Sequence, residues 1–318
     1  MKTIDDLRDY YNSALVKDLS LLETKRKGIV KNLIYAAIPI TGILTVFALF
    51  IIRSSQDPGV LIIFAALSLF IFAAVYYFFT RDYVREFKSA IIHKIVKFID
   101  SGLDYSRERC IGESVFKESR IFKNNIDRYR GDDYVSGKIG ATEVKFSEIH
   151  AEYVTRDSKG RRTYHTIFKG IFFIADFNKS FKGKTVVLPD TAERLFGHIG
   201  SMLQSWNFTR GQLIKLDDPE FEKIFAVYGD DQIVARYILS TSLMKRITDF
   251  KKKTKRQIYL SFISQNVYVA ISYTRNLFEP RVFKTLLDFN PIKEYYNDLA
   301  LAVGIVEDLN LNTRIWSK

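Results

Sequence analysis

The residues of this chain that could do chemistry are few and scattered. Four histidines, His93, His150, His165 and His198, stand at no metal-ligand spacing, and neither an HExxH helix nor a paired CxxC accompanies them. His150 and His165 could meet across a hairpin whose tip falls near Ser158, although a surface cross-strand pair is the simpler reading. Lys182-Gly-Lys-Thr185 imitates the end of a phosphate loop. Asn178 stands where such a loop needs its first glycine, and the segment joins two predicted strands, so it reads as a turn. Cys110 is the sole cysteine and has no base near it in sequence; no GxSxG elbow exists. A lone thiol also rules out an intrachain disulfide, which suits a reducing compartment. The acidic doublets Asp132-Asp133, Asp217-Asp218 and Asp230-Asp231 each precede a predicted strand or helix. Asp218 and Asp230 or Asp231 fit helix N-caps, and a divalent-cation role is the weaker reading. These patterns predict no catalytic residue, no metal centre and no cofactor.

One basic run remains: Lys251, Lys252, Lys253, Lys255 and Arg256, at the end of a predicted helix. Cations there compensate the helix dipole and solvate the surface. The functional alternative is contact with anionic lipid or an acidic protein partner. Arg156, Lys159, Arg161 and Arg162 form a second, weaker basic loop. The net charge is +12, spread along the chain, and no nucleic-acid-reading motif accompanies it, so nucleic acid is an unlikely partner.

What must position these groups begins with two uncharged apolar runs, 33–52 and 60–79. Each has the length that crosses a bilayer's hydrocarbon core. Seven residues separate them, which predicts a tight transmembrane hairpin. The first run follows a charged, amphipathic prefix and is too long for a cleavable signal. Lys17, Lys25, Arg26, Lys27 and Lys31 precede the first span; Arg81, Arg85, Lys88, Lys94 and Lys97 follow the second; the connecting loop carries only Arg53, offset by Asp57. That asymmetry predicts a multi-pass membrane protein with both termini in the cytoplasm. Ala37, Thr41 and Thr45 recur every four residues, a small-residue stripe suited to helix–helix contact, against the second span or in a homo-oligomer. Neither span holds an ionisable residue, which argues against a carrier.

Residues 1–32 read as an amphipathic cytoplasmic helix capped by Thr3, with Ile4, Leu7, Tyr11, Leu15, Leu19 and Leu22 on one stripe. Residues 80–100 continue the second span as another, with Val84, Phe87, Ile91, Ile95 and Phe98 on a stripe and Arg85, Lys88, Lys94 and Lys97 off it. Pairing of the two stripes is favoured over helices lying on the membrane surface. Residues 101–318, about 220 in all, are long enough for a cytosolic domain with a real core. Period-two patterning predicts strands over 133–138, 141–156, 163–176 and 184–188. Helices are predicted over 191–206, 219–228, 231–251 and 291–309. A hairpin, 257–263 and 267–273, has Gln265-Asn266 as its turn. Strands clustered in antiparallel hairpins make the class α+β.

The run Phe168-Lys-Gly-Ile-Phe-Phe-Ile-Ala-Asp-Phe-Asn-Lys-Ser-Phe-Lys-Gly-Lys-Thr185 and the run Phe225-Ala-Val-Tyr-Gly-Asp-Asp-Gln-Ile-Val-Ala-Arg-Tyr-Ile-Leu239 resemble core blocks of a bacterial family of unknown function, DUF3137. The resemblance implies an N-terminal transmembrane pair, a cytosolic domain and an inner-membrane location, and it carries over no catalytic residue. Two functions follow as expectations. The first is a membrane-anchored binding or scaffolding domain with an unknown protein partner. The second is an oligomerising two-helix effector that permeabilises the bilayer.

Overall fold

The computed structural model describes residues 2–54, 58–177, 182–190 and 211–312. The chain is α+β: long apolar helices that fit a hairpin, then an antiparallel sheet with helices. The predicted helix over 191–206 and His198 lie outside the described residues. Two compact units are formed, one by 96–277 with 296–318 and the other by 2–95 with 278–295.

In the helical unit, α1 (Ile4–Tyr10), a π-helical turn (Tyr11–Leu15) and α2 (Val16–Ser54) make one continuous run of 51 residues. Thr3 starts it with a capping box: its hydroxyl accepts from the Asp6 N–H, and the Asp6 carboxylate accepts from the Thr3 N–H. A second run joins α3 (Pro58–Phe87), a π-helical turn (Lys88–Ile92) and α4 (His93–Ile99). Both runs are long and apolar enough to cross a membrane, and their apolar stretches are bare: Ile38 is 65% exposed, Leu69 72% and Phe78 76%.

Along that bare stretch the hairpin packs through Ile40, Leu44 and Ala48 on α2 and Phe64, Ser68, Ile71 and Val75 on α3, half-covered positions of each helix. Phe47 stacks on Phe64 at 6.0 Å. Thr41 and Thr45 are exposed, and Thr45 donates to the Thr41 carbonyl of its own helix at 2.7 Å. Both threonines of the small-residue stripe therefore lie off the seam with the second span, and only Ala37 is half-covered. The larger side chains at 40 and 44 fill the gap between the helix axes better.

From Thr80 on α3, and up to Arg26 on α2, the same helices are covered. Leu7, Leu15, Leu19, Phe87, Ile91 and Ile95 have essentially no exposed surface. Asp18 and Lys94 link the two helices, and Lys25 meets Glu86 at 2.5 Å. The cover includes residues 278–295. Phe87 meets Tyr295 edge to face at 5.7 Å, and Tyr11 meets Phe289 likewise at 5.4 Å. Lys88, read from the sequence as off the stripe, is buried and paired with Glu279 at 2.9 Å, because this segment covers its side of the helix.

The other unit holds a nine-stranded antiparallel sheet in the order β1-β2-β3-β4-β9-β8-β5-β7-β6. Its strands are β1 (Leu103–Ser106), β2 (Arg128–Ile139), β3 (Thr142–Arg156), β4 (Arg162–Asp176), β5 (Lys184–Pro189), β6 (Gln212–Ile214), β7 (Phe225–Gly229), β8 (Ile258–Ile263) and β9 (Asn266–Ser272). The β2–β3 turn is Gly140-Ala141, with Gly140 at φ +60, where glycine costs least. One face carries an aromatic core built on α5 (Glu113–Glu118): Phe116 lies 5.3 Å from Phe122 and 4.9 Å from Phe172.

Sequence and structure part company in several places. β2 begins at Arg128, ahead of the predicted strand 133–138. The predicted helix 219–228 is a single turn, α6 (Pro219–Glu222), followed by β7, which pairs with β5 along its whole length and with β6 from Val227 to Gly229. The predicted helix 231–251 is two, α7 (Gln232–Ile238) and α8 (Thr241–Thr254), because Ser240 leaves helical geometry to cap α8. The β8–β9 turn is Ser264-Gln265, one residue earlier than read, with Ser264 left-handed. The last helix is α9 (Phe289–Asp308).

Candidate functional site

The sheet unit opens a cleft of about 380 Å³ where the segment before α5 crosses the ends of β2, β3, β4 and β9. That volume is in the range of small-ligand sites. Arg109 enters over the Tyr134 ring, 5.0 Å from its centroid. Lys145 projects from β3 between buried Val144 and Phe146, an outward position fixed by the period-two pattern. Glu118, Glu143 and Asp176 supply opposite charge, and Tyr268 forms the aromatic floor. A wall of both signs beside aromatic rings can hold a segment carrying both charges, such as a peptide. It is a poor match for a polyanion.

Cys110 lies at the inner end of the cleft, against Gly131. A Cβ on Gly131 would come within 2.7 Å of the Cys110 Cβ and 2.4 Å of the Glu148 carbonyl oxygen, so only glycine allows this approach. Burial first, and the nearby Asp132 charge second, push the thiol's pKa up, which makes it a poor nucleophile.

Behind Cys110, β2 carries an irregularity between Asp132 and Val135, with Asp133 left-handed at φ +55. It brings Asp132, Asp133 and Glu148 together, one oxygen of each lying within 4.8 Å of the others. Such a set has the chemistry to take a hard divalent cation. Its buried members already hold protein donors: Tyr105 O–H donates to Asp133, and the Leu277 N–H donates to Glu148 at 2.8 Å.

The remaining sequence candidates fall elsewhere. Asp218 caps α6 and Asp231 caps α7. Asp230 instead accepts from the Lys184 N–H and pairs with its ammonium at 3.2 Å. His150 stands opposite Lys169 and His165 opposite Tyr153, so the two do not face each other. His165 instead stacks on Tyr153 at 4.8 Å. In the basic run, Lys251 donates to the Arg256 carbonyl, Lys252 pairs with Glu220, Lys253 pairs with Asp308, and Lys255 is the left-handed residue that ends α8. Arg256 lies over Tyr273, 3.8 Å from its centroid, and the Tyr273 O–H donates to buried Asp298, which also takes Arg275. Burial holds the Asp298 pKa above the ordinary carboxylate value despite Arg275. The sequence did not single out Arg109, Tyr134 or Lys145. The out-facing positions in β2 and β3 were the available signal, but sequence patterning cannot say which of them border a cleft.

Residues 166–311 match the family described as "Protein of unknown function (DUF3137)". The DUF3137 match takes in β4, β5 and the 225–239 block, and bears out the resemblance read from those residues. No curated protein matches the chain. Among solved structures, the crystal structure of the mycobacterial trehalose monomycolate transport factor A, TtfA, aligns at a TM-score of 0.31 and 11% identity, over 69% of this chain and 96% of that one. A likeness at that level establishes neither a shared fold nor a shared role.

Proposed function

We propose that this chain is a two-helix membrane protein whose sheet domain is a binding module for a protein partner. In this reading 33–52 and 60–79 span a bacterial inner membrane, residues 1–32 and 80–100 continue the spans on the cytoplasmic side, and 101–318 form a cytosolic domain. The Lys and Arg asymmetry around the spans supports the orientation. The observation that carries the binding role is the open cleft, where Tyr134 and Lys145 of the sheet face Arg109 and Glu118 of the segment running into and along α5. The test is a photo-crosslinking amino acid at position 145 of the full chain in native membranes, with position 237, exposed on α7, as control. A discrete adduct at 145 and none at 237 supports the module. Equal or no adducts at both sites refute it. Dye release from liposomes by the purified protein would replace it with the permeabilising effector.

The same reading gives the basic run a secondary contact with anionic lipid. Supporting it, the partners of Lys252 and Lys253 are exposed or partly exposed acids, and such pairs exchange readily. Loss of salt-sensitive vesicle binding in K252E/K253E would support that contact, and unchanged binding would remove it.

A further inference from the structure

Within the helical unit, residues 279–289 climb along the helices and come back down. Glu279 meets Lys88 at 2.9 Å. The Val282 carbonyl accepts from Arg26 at 2.9 Å, and Phe283 stacks on Tyr76 with ring centroids 6.1 Å apart. The Leu286 N–H then donates to Glu23 at 2.9 Å, and the Leu287 carbonyl accepts from Tyr11 at 2.9 Å. Of these helix residues, Arg26 and Tyr76 lie nearest the bare stretch, and Tyr76 is inside the second apolar run. The apex is a tight turn closed by the Lys284 N–H on the Arg281 carbonyl, 3.1 Å. Val282 within the turn and Leu286 just beyond it are buried, while Phe283 is 69% exposed. The ring thus stands out from the turn against Tyr76, which leads into the exposed Tyr77 and Phe78 at the end of the second run.

We propose that the turn Arg281–Lys284 is a third membrane contact, with Phe283 seated in the interfacial layer of the bilayer that takes the two helices. An aromatic ring at the polar–apolar boundary with an exposed lysine beside it is the pattern that layer favours. This inference rests on the transmembrane reading above.

The test places single tryptophans in the full chain with Trp206→Phe and Trp316→Phe, reconstituted in vesicles containing brominated lipid. The Phe283→Trp protein is expected to be quenched by bromine near the headgroup end of the chains and much less by bromine at the chain terminus. The Leu287→Trp protein, on the descending limb, is expected to escape both. The Phe47→Trp protein reports the spans and should be quenched by deep bromine. An unquenched Phe283→Trp protein beside a quenched Phe47→Trp protein overturns the inference and leaves the membrane reading intact. If neither is quenched, both fall. Concentration-dependent burial of the Phe283→Trp ring without quenching would assign the turn to a second copy of the chain and also overturn it.

Discussion

The same two helices are bare along 33–52 and 60–79 and covered along 7–26 and 80–95, and the two halves solve one problem differently. The bare half has no ionisable side chain within its two apolar runs and leaves Ile, Leu and Phe mostly exposed. The covered half has an apolar stripe with almost no exposed surface, and its inward charges are matched: Glu23 with Arg26 at 2.7 Å, Lys88 with Glu279. Chain periodicity is helical in both. What differs is the medium that closes each face, protein in one and, under the proposed reading, lipid in the other.

The largest effect should come from the covered half. Phe87→Ala removes a fully buried ring and should cost about 3–5 kcal/mol, read as a lowered melting midpoint of the detergent-solubilised protein. A small loss would mean this half is no better packed than the other. Next, Glu23→Ala strands Arg26 and unhooks the Leu286 N–H, at a cost of about 3 kcal/mol. The Arg26 hydrogen bonds hold the Glu23 pKa near 2, against 4.5 for a free glutamate. Its stabilising contribution is therefore full above about 4.5 and drains away as the pH falls towards 2. The melting midpoint should fall more steeply across that window for the wild type than for Glu23→Gln. Asp298, whose pKa is raised, has the opposite sign: it favours folding at low pH and loses that contribution as the pH rises through its folded value. Asp298→Asn should flatten that limb.

Leu69→Asp separates the two media most directly. At a water-facing site the change would be nearly neutral, whereas in a bilayer it should cost about 2.5–3.5 kcal/mol and shift protein out of the carbonate-resistant membrane fraction. The smallest effect should be Lys25→Ala, which breaks an exposed pair and should move stability by less than about 1 kcal/mol, mostly at low salt.

The bare half was legible in the sequence because twenty uncharged residues have few other uses. The stripes of the covered half were legible too, since Leu7, Leu15, Leu19, Phe87 and Ile91 obey a local period. Their cover was not: residues 278–295 lie far downstream, and no local rule pairs Lys88 with Glu279. The long strands β3 and β4 were readable from alternation, whereas β6 and β7 are short and exist because β5 offers β7 a partner and β7 in turn offers one to β6. The candidate site was the least legible part. Tyr134 and Lys145 sit on the two arms of the β2–β3 hairpin, but Arg109 comes from the segment before α5, and only the folded unit lays that segment over the hairpin.

The late arrival of residues 278–295 also has a consequence in time. About 200 residues separate Ile95 from Tyr295. At ribosomal rates of about 5–20 residues per second, the apolar stripes of the covered half emerge about 10–40 s before the segment that covers them is made. For that interval the nascent chain displays an apolar seam next to its two apolar runs. Its folding should therefore depend on how long translation, and whatever shields such seams in the cell, keeps it from finding the wrong surface first.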